Sequence, residues 1–333
     1  MRIYSMTKPI TSVAVLMLYE EGHFQLDDPV ARFIPELAEM KVCREVTADG
    51  LQLVEQEQAV TIRDLLLHMS GLPYDSPAGS PVEVLYHQAE LTSSDRTLQA
   101  MVQALGKLPL ASQRGSVWRY SLSTDVLGYL VEVIAGIPFD AFLEQRIFKP
   151  LGMPDTGFYV PLEKHERLAS VYWPGLGRVD TPEVNHYTQP HQFLAGGAGL
   201  VSTVLDYLRF AQMLLNGGEL DGIRLLGRKT VELMTVNHLP SHCLPFRLGP
   251  PEVDHLTLGH GFGLGVRVLL DATQVGFLGS EGEFGWSGAA NTAFWVDPKE
   301  EMICLFMTQF MPAFVIYPVE RQFKVLAYQA IVD

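Results

Sequence analysis

Residues 5–21 read SMTKPITSVAVLMLYEE, and this stretch decides how the chain begins to fold. Ser5 can cap a helix, Pro9 is tolerated in a first turn, and Gly22 ends the pattern. Residues 13–18 (VAVLML) leave no polar face, and a helix that is apolar on every side is a buried one. The sequence therefore predicts a buried first helix that carries Ser5 at its start.

The same helix start places a serine and a lysine on one face. Ser5 and Lys8 are three residues apart, a spacing at which helical side chains meet. The helix dipole favours the alkoxide of Ser5, and the dipole together with dry surroundings disfavours the ammonium form of Lys8. Lys8 is thus a candidate base, although a second group is expected to share the proton. Alone the motif is weak, because a capping serine followed by a surface lysine occurs by chance in many helices.

Two segments far along the chain supply the missing chemistry. Tyr120 stands in residues 118–122 (WRYSL), on a loop just ahead of a predicted helix, where its phenol can relay a proton. Residues 285–289 (GWSGA) form a glycine-containing strand edge, where a backbone N–H can approach a substrate as an oxyanion donor must. Together these segments favour a nucleophilic serine with its proton-transfer groups and an oxyanion site.

The rest of the chain divides into a helical middle and a strand-rich end. Further helices are predicted at residues 61–68, 123–135, 203–215 and 315–331. Thr61 and Asp64 form a capping-box pair at the start of the first of these. Strands are predicted at residues 262–270, 292–296 and 302–308, the last two as a hairpin. This order fits an α/β (α+β) fold in which a helical lobe is inserted into an α/β layer.

The charge and hydropathy of the chain exclude several classes of partner. Its 38 acidic and 24 basic residues leave a formal net charge of −14 without a basic stripe. Binding to nucleic acid or to an anionic membrane face is therefore not expected. The sequence contains no run of about 18 apolar residues, so a membrane span is not predicted. The hydrophobic share of 47% is that of a globular protein.

Cysteines and histidines are expected to be structural. Cys43, Cys243 and Cys304 are odd in number and widely spaced, so free thiols are predicted. No metal site is expected among the ten histidines. His68 is expected to end its helix, where a cation or donor meets free carbonyls.

Residues 2–11 (RIYSMTKPIT) resemble the nucleophile motif of the serine β-lactamase-like hydrolases. Three other segments are similar to phrases of that superfamily, namely residues 68–72 (HMSGL), 196–200 (GGAGL) and 294–298 (FWVDP). The similarity runs to about residue 308, and the nucleophile, tyrosine and third motifs stand in the order of the family. Within the superfamily the chain is most similar to the family VIII carboxylesterases, relatives of the class C β-lactamases.

The resemblance implies a fold. It is the β-lactamase/transpeptidase-like fold, an antiparallel sheet flanked by helices with an inserted, mostly helical lobe. The whole chain, residues 1–333, would form one such domain. Its approximate lobes would be an α/β lobe of residues 1–30 and 195–333 and a helical lobe of residues 31–194.

The resemblance also implies roles for individual residues. Ser5 would be acylated, and Lys8 and Tyr120 would act as general base and acid. The backbone N–H groups of Ser5 and Ala289 would form the oxyanion hole. The residues lining the site on the sheet edge would be Trp286, Ser287 and Gly288. Neither a cofactor nor a metal is implied.

Two positions depart from the β-lactamase pattern. The tyrosine motif ends in Leu122 instead of asparagine, and the third motif begins with Trp286 instead of lysine. Both changes remove groups suited to the amide and carboxylate of a β-lactam, whereas leucine and an aromatic wall suit a neutral acyl or alkoxy group. The sequence therefore favours cleavage of small carboxylic esters. A β-lactam, a D-amino-acid peptide and acyl transfer to an alcohol remain alternatives on the same fold.

The nucleophile motif stands close to Met1, whereas the resemblance implies several dozen residues ahead of it. The missing residues would leave a sheet edge bare, so the expectation is either a trimmed or misassigned gene product or a partner that covers the gap. A catalytically silent homologue that only binds ligands or partners is a further alternative. The cytoplasm is the default compartment. The oligomeric state and the substrate chain length stay open.

Overall fold

The computed structural model describes residues 1–48, 50–175, 177–179, 186–248, 257–312 and 319–332. Its strands form three hairpins and one larger sheet. The hairpins are β1 Val42–Thr47 with β2 Gly50–Val54, β3 Val171–Trp173 with β4 Gly177–Val179, and β5 Glu219–Leu220 with β6 Ile223–Arg224. The larger sheet contains β7 His260–Phe262, β8 Arg267–Leu269, β9 Phe284–Gly288, β10 Thr292–Asp297 and β11 Met302–Met307. These five strands are antiparallel, in the order β11-β10-β9-β8-β7.

The predicted hairpin is confirmed, and one predicted strand is wrong. β10 and β11 pair in register, with Trp295 opposite Cys304. The strand expected over residues 262–270 is instead β7 and β8, joined by a tight turn. Gly265 makes that turn with a φ of +91°, and a Cβ there would lie 1.9 Å from Ser12 Oγ. Close packing against the first helix therefore determines the turn, and a pattern of neighbouring residues in the sequence does not predict such packing.

The described residues also form α-helices. In chain order they are α1 Thr7–Glu20, α2 Ile62–Leu66, α3 Pro81–Gln88, α4 Leu98–Leu105, α5 Ser123–Ala135, α6 Phe139–Leu143, α7 Lys149–Leu151, α8 Val204–Leu215, α9 Arg228–Met234, α10 Ala272–Val275 and α11 Val319–Tyr328. The predictions for α1, α2, α5 and α8 are confirmed, including the capping box of Thr61 and Asp64. α11 falls within the predicted 315–331, of which residues 315–318 lie outside the described residues.

The start of α1 differs from the prediction. A 3₁₀ turn, Tyr4–Met6, precedes the helix, and Met6 occupies the capping position without a side-chain hydrogen bond. Ser5 lies inside that turn, so the expectation that it caps the helix is wrong. Because its hydroxyl does not bond to a helix N–H, it remains available to the lysine one turn on. Every α1 residue from 7 to 18 is buried, as the apolar pattern predicts.

The helices pack in two places. α5 contacts α1, α2, α4 and α6. On the sheet, Phe294 meets Tyr207 of α8 and the next residue, Trp295, meets Phe323 of α11. Since successive strand residues point to opposite faces, α8 and α11 cover opposite faces of the sheet. The division into the two lobes stays a prediction.

None of the described helices alone is long and apolar enough to cross a membrane. α5 and the stretch Phe139–Leu151 reach that length and composition only together, with a bend of 79° between them. The three cysteines are free thiols, with Cys243 and Cys304 buried and Cys43 partly buried.

Candidate active site

Ser5 and Lys8 meet at the start of α1, as their spacing predicts. Lys8 Nζ lies 3.4 Å from Ser5 Oγ. Lys8 is only 1% exposed, whereas Ser5 is half-buried. The serine therefore keeps contact with the surface while its candidate base lies within the core.

Three uncharged groups surround the Lys8 amine. Besides its contact with Ser5, Nζ donates to the Gly197 carbonyl oxygen at 2.7 Å and to the Tyr74 hydroxyl at 2.9 Å. A neutral amine has two N–H donors and one lone pair. It can thus donate to Gly197 and Tyr74 while it accepts the proton of Ser5, which is the arrangement a general base requires.

Tyr120 approaches Lys8 with its ring and not with its hydroxyl. The ring centroid lies 4.4 Å from Lys8 Nζ, a cation–π distance. The phenol oxygen accepts a hydrogen bond from Trp286 Nε1 at 3.1 Å. In the part of the chain that the structure describes, no hydrogen bond joins that oxygen to Ser5 or Lys8. The acid–base role of Tyr120 stays a prediction, and it requires the hydroxyl to turn from Trp286 toward the reacting atoms.

Tyr74 is a side-chain contact of Lys8 that the sequence did not predict. Besides bonding Lys8, it meets the Tyr120 ring edge-on, with 5.3 Å between centroids. Burial raises the pKa of Tyr74 well above its usual value, and the adjacent phenol and carboxylates raise it further. The phenol therefore stays protonated near neutral pH. Its only signal in the sequence is its position just after residues 68–72, one of the family-like segments.

A chain of buried side chains joins the segments that carry the two tyrosines. His68 Nδ1 lies 3.0 Å from Ser121 Oγ, which donates to Ser123 Oγ at 2.8 Å. Ser70 Oγ lies 2.8 Å from Ser123 Oγ. Burial lowers the pKa of His68 well below its usual value, and the charge of Lys8 lowers it further. His68 ends its helix as expected, just past α2 with a φ of +55°. The expectation that its side chain donates to the free carbonyls is wrong, because the neutral ring turns inward to Ser121.

β9 is the central strand of the sheet, but its end beyond Gly285 pairs only with β10, and this end lies beside Ser5. Gly288 packs against the turn that carries Ser5, since a Cβ at this position would lie 2.5 Å from Ile3 O. Ser287 is half-buried and Ala289 is exposed, so both reach the surface there. Their roles in lining the site and in donating an oxyanion N–H stay predictions, which this placement allows.

Leu122 and Trp286, the two departures from the β-lactamase pattern, are both turned inward. Leu122 has no exposed surface, so the expectation that it contacts an acyl or alkoxy group is wrong. It is the residue before α5, and its side chain packs into the core while Tyr120 faces Lys8. Trp286 is 3% exposed and stands behind Tyr120. The aromatic wall is therefore Tyr120 backed by Trp286.

The model of the β-lactamase family matches residues 1–328, nearly the whole chain. The chain belongs to the β-lactamase family. Protein Rv1367c of Mycobacterium tuberculosis is 35% identical over 322 residues, which cover 93% of this chain and 77% of that protein. Esterase EstB of Burkholderia gladioli is 32% identical over 330 residues, covering 92% of this chain and 76% of the esterase.

A solved structure agrees with this membership of the β-lactamase family. The structure of EstCE1, described as a hydrolase with promiscuous acyltransferase activity, aligns with a TM-score of 0.79 at 27% identity. The alignment covers 98% of this chain and 84% of that one. The β-lactamase/transpeptidase-like fold and the resemblance to family VIII esterases are confirmed, and the relatives support a hydrolase.

Two further observations on this β-lactamase-family protein concern regions other than that of Ser5. Within the described ranges, no group of three or more His, Cys, Asp or Glu side chains is arranged to hold a metal ion. His238 and His242 stand four residues apart, but their Nε2 atoms bond to the separate carbonyls of Leu233 and Gly115. A cavity of about 290 Å³ is lined by residues that include Met1, Thr156, Arg167 and Ser202, and by none of the predicted site residues.

Proposed function

We propose that this protein is a serine carboxylesterase that cleaves small carboxylic esters through an acyl-enzyme on Ser5. The observation that carries the proposal is the 3.4 Å contact between Lys8 Nζ and Ser5 Oγ, in which the other partners of the amine are uncharged. A buried lysine in such surroundings is suited to activate a serine nucleophile.

The proposed acylation begins when neutral Lys8 takes the hydroxyl proton of Ser5 as Oγ attacks the ester carbonyl carbon. The C=O electron pair moves to the oxygen, which the backbone N–H groups of Ser5 and Ala289 stabilise. When the tetrahedral intermediate collapses, the alkoxide leaves with a proton from the Lys8 ammonium, directly or through a tyrosine hydroxyl. Water then attacks the acyl-enzyme, Lys8 takes its proton, and that proton returns to Ser5 as the carboxylic acid departs.

The aromatic surroundings favour an ester over a β-lactam. Trp286 occupies the position where β-lactamases usually carry a lysine. Its ring lies 5.3 Å from Phe262, and Trp118 lies 4.5 Å from Phe246, measured between centroids. These rings are buried, and the half-buried Tyr120 ring in front of Trp286 offers an aromatic face where a β-lactam carboxylate would need a cation. EstB is named as an esterase and EstCE1 as a hydrolase, which also supports the proposal.

Hydrolysis of p-nitrophenyl butyrate tests the assignment of the nucleophile. We expect Ser5→Ala to lose about 10⁴-fold or more in turnover. Ser12→Ala is the matched control, because Ser12 is a buried serine of α1, the helix that follows the turn of Ser5, and its Oγ has no hydrogen-bond partner among the described residues. Wild-type turnover in Ser5→Ala would overturn the proposal.

Two further measurements separate the alternatives. A strong preference for nitrocefin over the butyrate ester would assign the same chemistry to a β-lactam substrate. Failure of a fluorophosphonate probe to label Ser5 in a protein that melts cooperatively would indicate a catalytically silent homologue.

Acyl transfer to an alcohol is a second candidate function, because EstCE1 is described as having promiscuous acyltransferase activity. In this reaction an alcohol would attack the acyl-enzyme in place of water, with the same proton transfers. Butanol added to the butyrate assay distinguishes the two, since transfer yields butyl butyrate and hydrolysis yields free butyrate.

A further inference from the structure

Asp125 is a buried acid that is connected to the candidate base, Lys8, through one intervening residue, Gly197. It stands in the first turn of α5 and is 3% exposed. Its Oδ1 accepts the N–H of Gly197 at 3.0 Å, and the carbonyl oxygen of the same Gly197 accepts from Lys8 Nζ at 2.7 Å. A continuous path therefore runs from Asp125 through Gly197 to Lys8 and Ser5.

The backbone at Gly197 is fixed on both sides. A Cβ on Gly197 would lie 2.8 Å from Asp125 Oδ2, so a side chain has no room there. The preceding carbonyl, of Gly196, accepts from Thr11 Oγ1 at 2.7 Å. The segment is thus held between α1 and α5, and Asp125 sets the direction in which the Gly197 carbonyl points.

The charge of Asp125 reaches Lys8 as well. Burial raises the pKa of the Asp125 carboxyl, and the charge of Lys8 and the N–H of Gly197 act against that rise. The other titratable groups around the lysine are the phenols of Tyr74 and Tyr120 and the buried ring of His68. Among these groups Asp125 is the carboxyl group, and its negative charge attracts the positive charge that a proton brings to Lys8.

We infer that Asp125 is a positioning residue of the proposed hydrolysis: it holds the Gly197 carbonyl so that Lys8 Nζ stays on Ser5 Oγ, and its negative charge acts on the proton transfer between Ser5 and Lys8. The inference rests on the proposed function. It assigns two separable effects to the Asp125 carboxylate. Its hydrogen bond orients the Gly197 carbonyl, and its charge affects the pH dependence of hydrolysis.

Two substitutions separate these effects. Asp125→Asn keeps an oxygen that can accept the Gly197 N–H but removes the charge, so the acid limb of the kcat/KM profile should move to lower pH by about one unit. Asp125→Ala removes the hydrogen bond as well, and kcat should fall about 100-fold with little change in KM, because the base is misplaced while the ester site is intact. Both values are taken per active site, counted by fluorophosphonate labelling of Ser5.

Asp206→Asn is the matched control. Asp206 is also a buried aspartate in the first turn of a helix, and its Oδ2 accepts a distant backbone N–H, that of Asp155, at 2.7 Å. The described partners of its carboxylate, the Asp155 N–H and the Thr156 hydroxyl, do not contact Lys8, so Asp206→Asn should lower stability and leave kcat and the pH profile per labelled site unchanged.

The outcomes distinguish this inference from the proposed function. If the wild type is labelled at Ser5 and active, and both Asp125 variants keep the wild-type kcat and pH profile per labelled site, the inference is wrong and the proposed function stands. If Ser5→Ala retains activity, the proposed function itself fails. Should Asp125→Ala not fold, the acid limb of Asp125→Asn alone decides: a shift supports the inference and an unshifted limb contradicts it.

Discussion

Two buried lysines of this fold have opposite surroundings. Lys324 of α11 is 2% exposed and forms an ion pair with Glu283, which is 3% exposed. The Tyr328 hydroxyl bonds to Glu283 at 2.7 Å and lies 2.6 Å from Asp297. Lys8 of α1 is 1% exposed, but its direct partners are a carbonyl oxygen and two hydroxyls.

The difference separates a structural amine from a reactive one. Glu283 balances the charge of Lys324, although burial lowers the pKa of Lys324 and raises that of Glu283. Removing either partner would leave a buried charge without compensation. Ser5 can give its proton to Lys8 in the proposed reaction, and the Tyr74 hydroxyl and the Gly197 carbonyl can accept hydrogen bonds from either form of the amine. Lys8 can therefore change its protonation state without stranding a directly paired carboxylate.

The largest expected effect is the loss of activity on removal of Lys8. Lys8→Met keeps the apolar stem but removes the base, so turnover of p-nitrophenyl butyrate should fall about 10⁴-fold. Lys324→Met is the matched control, and its turnover per Ser5 labelled with fluorophosphonate should match that of the wild type. Equal losses in the two variants would show that Lys8 has only a structural role.

The second effect is a loss of stability on removal of Lys324. Lys324→Met leaves Glu283 buried and unpaired, so the free energy of unfolding in urea should fall by about 3–5 kcal/mol. Adding Glu283→Leu removes the stranded carboxylate, and the double variant should recover most of that loss. If the double variant is as unstable as the single one, the ion pair contributes by packing and not by balancing charge.

Local features of both lysine regions can be predicted from the sequence. The Ser5–Lys8 contact follows from a three-residue spacing, and α5 has the bounds that its apolar stripe predicts. The hairpin of β10 and β11 follows from a turn between two apolar runs. Each of these depends on residues that are neighbours in the chain.

Contacts between distant segments could not be predicted. Tyr74 reaches Lys8 across 66 residues, and nothing local shows which of the chain's tyrosines does so. Leu122 was placed in the site by its motif position, whereas helix packing turns it into the core. Lys324 belongs to an amphipathic helix, but only the fold brings Glu283 to it. The direction of these side chains and the pairing of distant residues are determined by the packing of the complete fold.

A smaller effect concerns the hydroxyls around Lys8. Tyr74→Phe removes one partner of the amine, so kcat should fall about 10-fold to 100-fold in the ester assay. Tyr86→Phe is the control, because this buried tyrosine donates to the Pro109 carbonyl at 3.1 Å, away from the site. It should lose about 1 kcal/mol of stability and no turnover. An unchanged kcat in Tyr74→Phe would leave the proton relay to Tyr120 alone.

The smallest effect is a dependence of stability on pH near Lys324. Burial, and then the charge of Arg267, lowers the pKa of His260 to about 2. Below pH 6.5 the unfolded chain binds a proton at this histidine and the folded protein does not, so stability is lost as the pH falls, by at most about 1.4 kcal/mol per pH unit. His260→Gln should flatten the pH dependence of urea unfolding between about pH 6.5 and 5, the window in which an ordinary histidine gains its proton. The pKa of His68, beside Lys8, is also lowered. If His68→Gln flattens the pH dependence of unfolding and His260→Gln does not, the acid sensitivity arises in the region of Lys8 and not in that of Lys324.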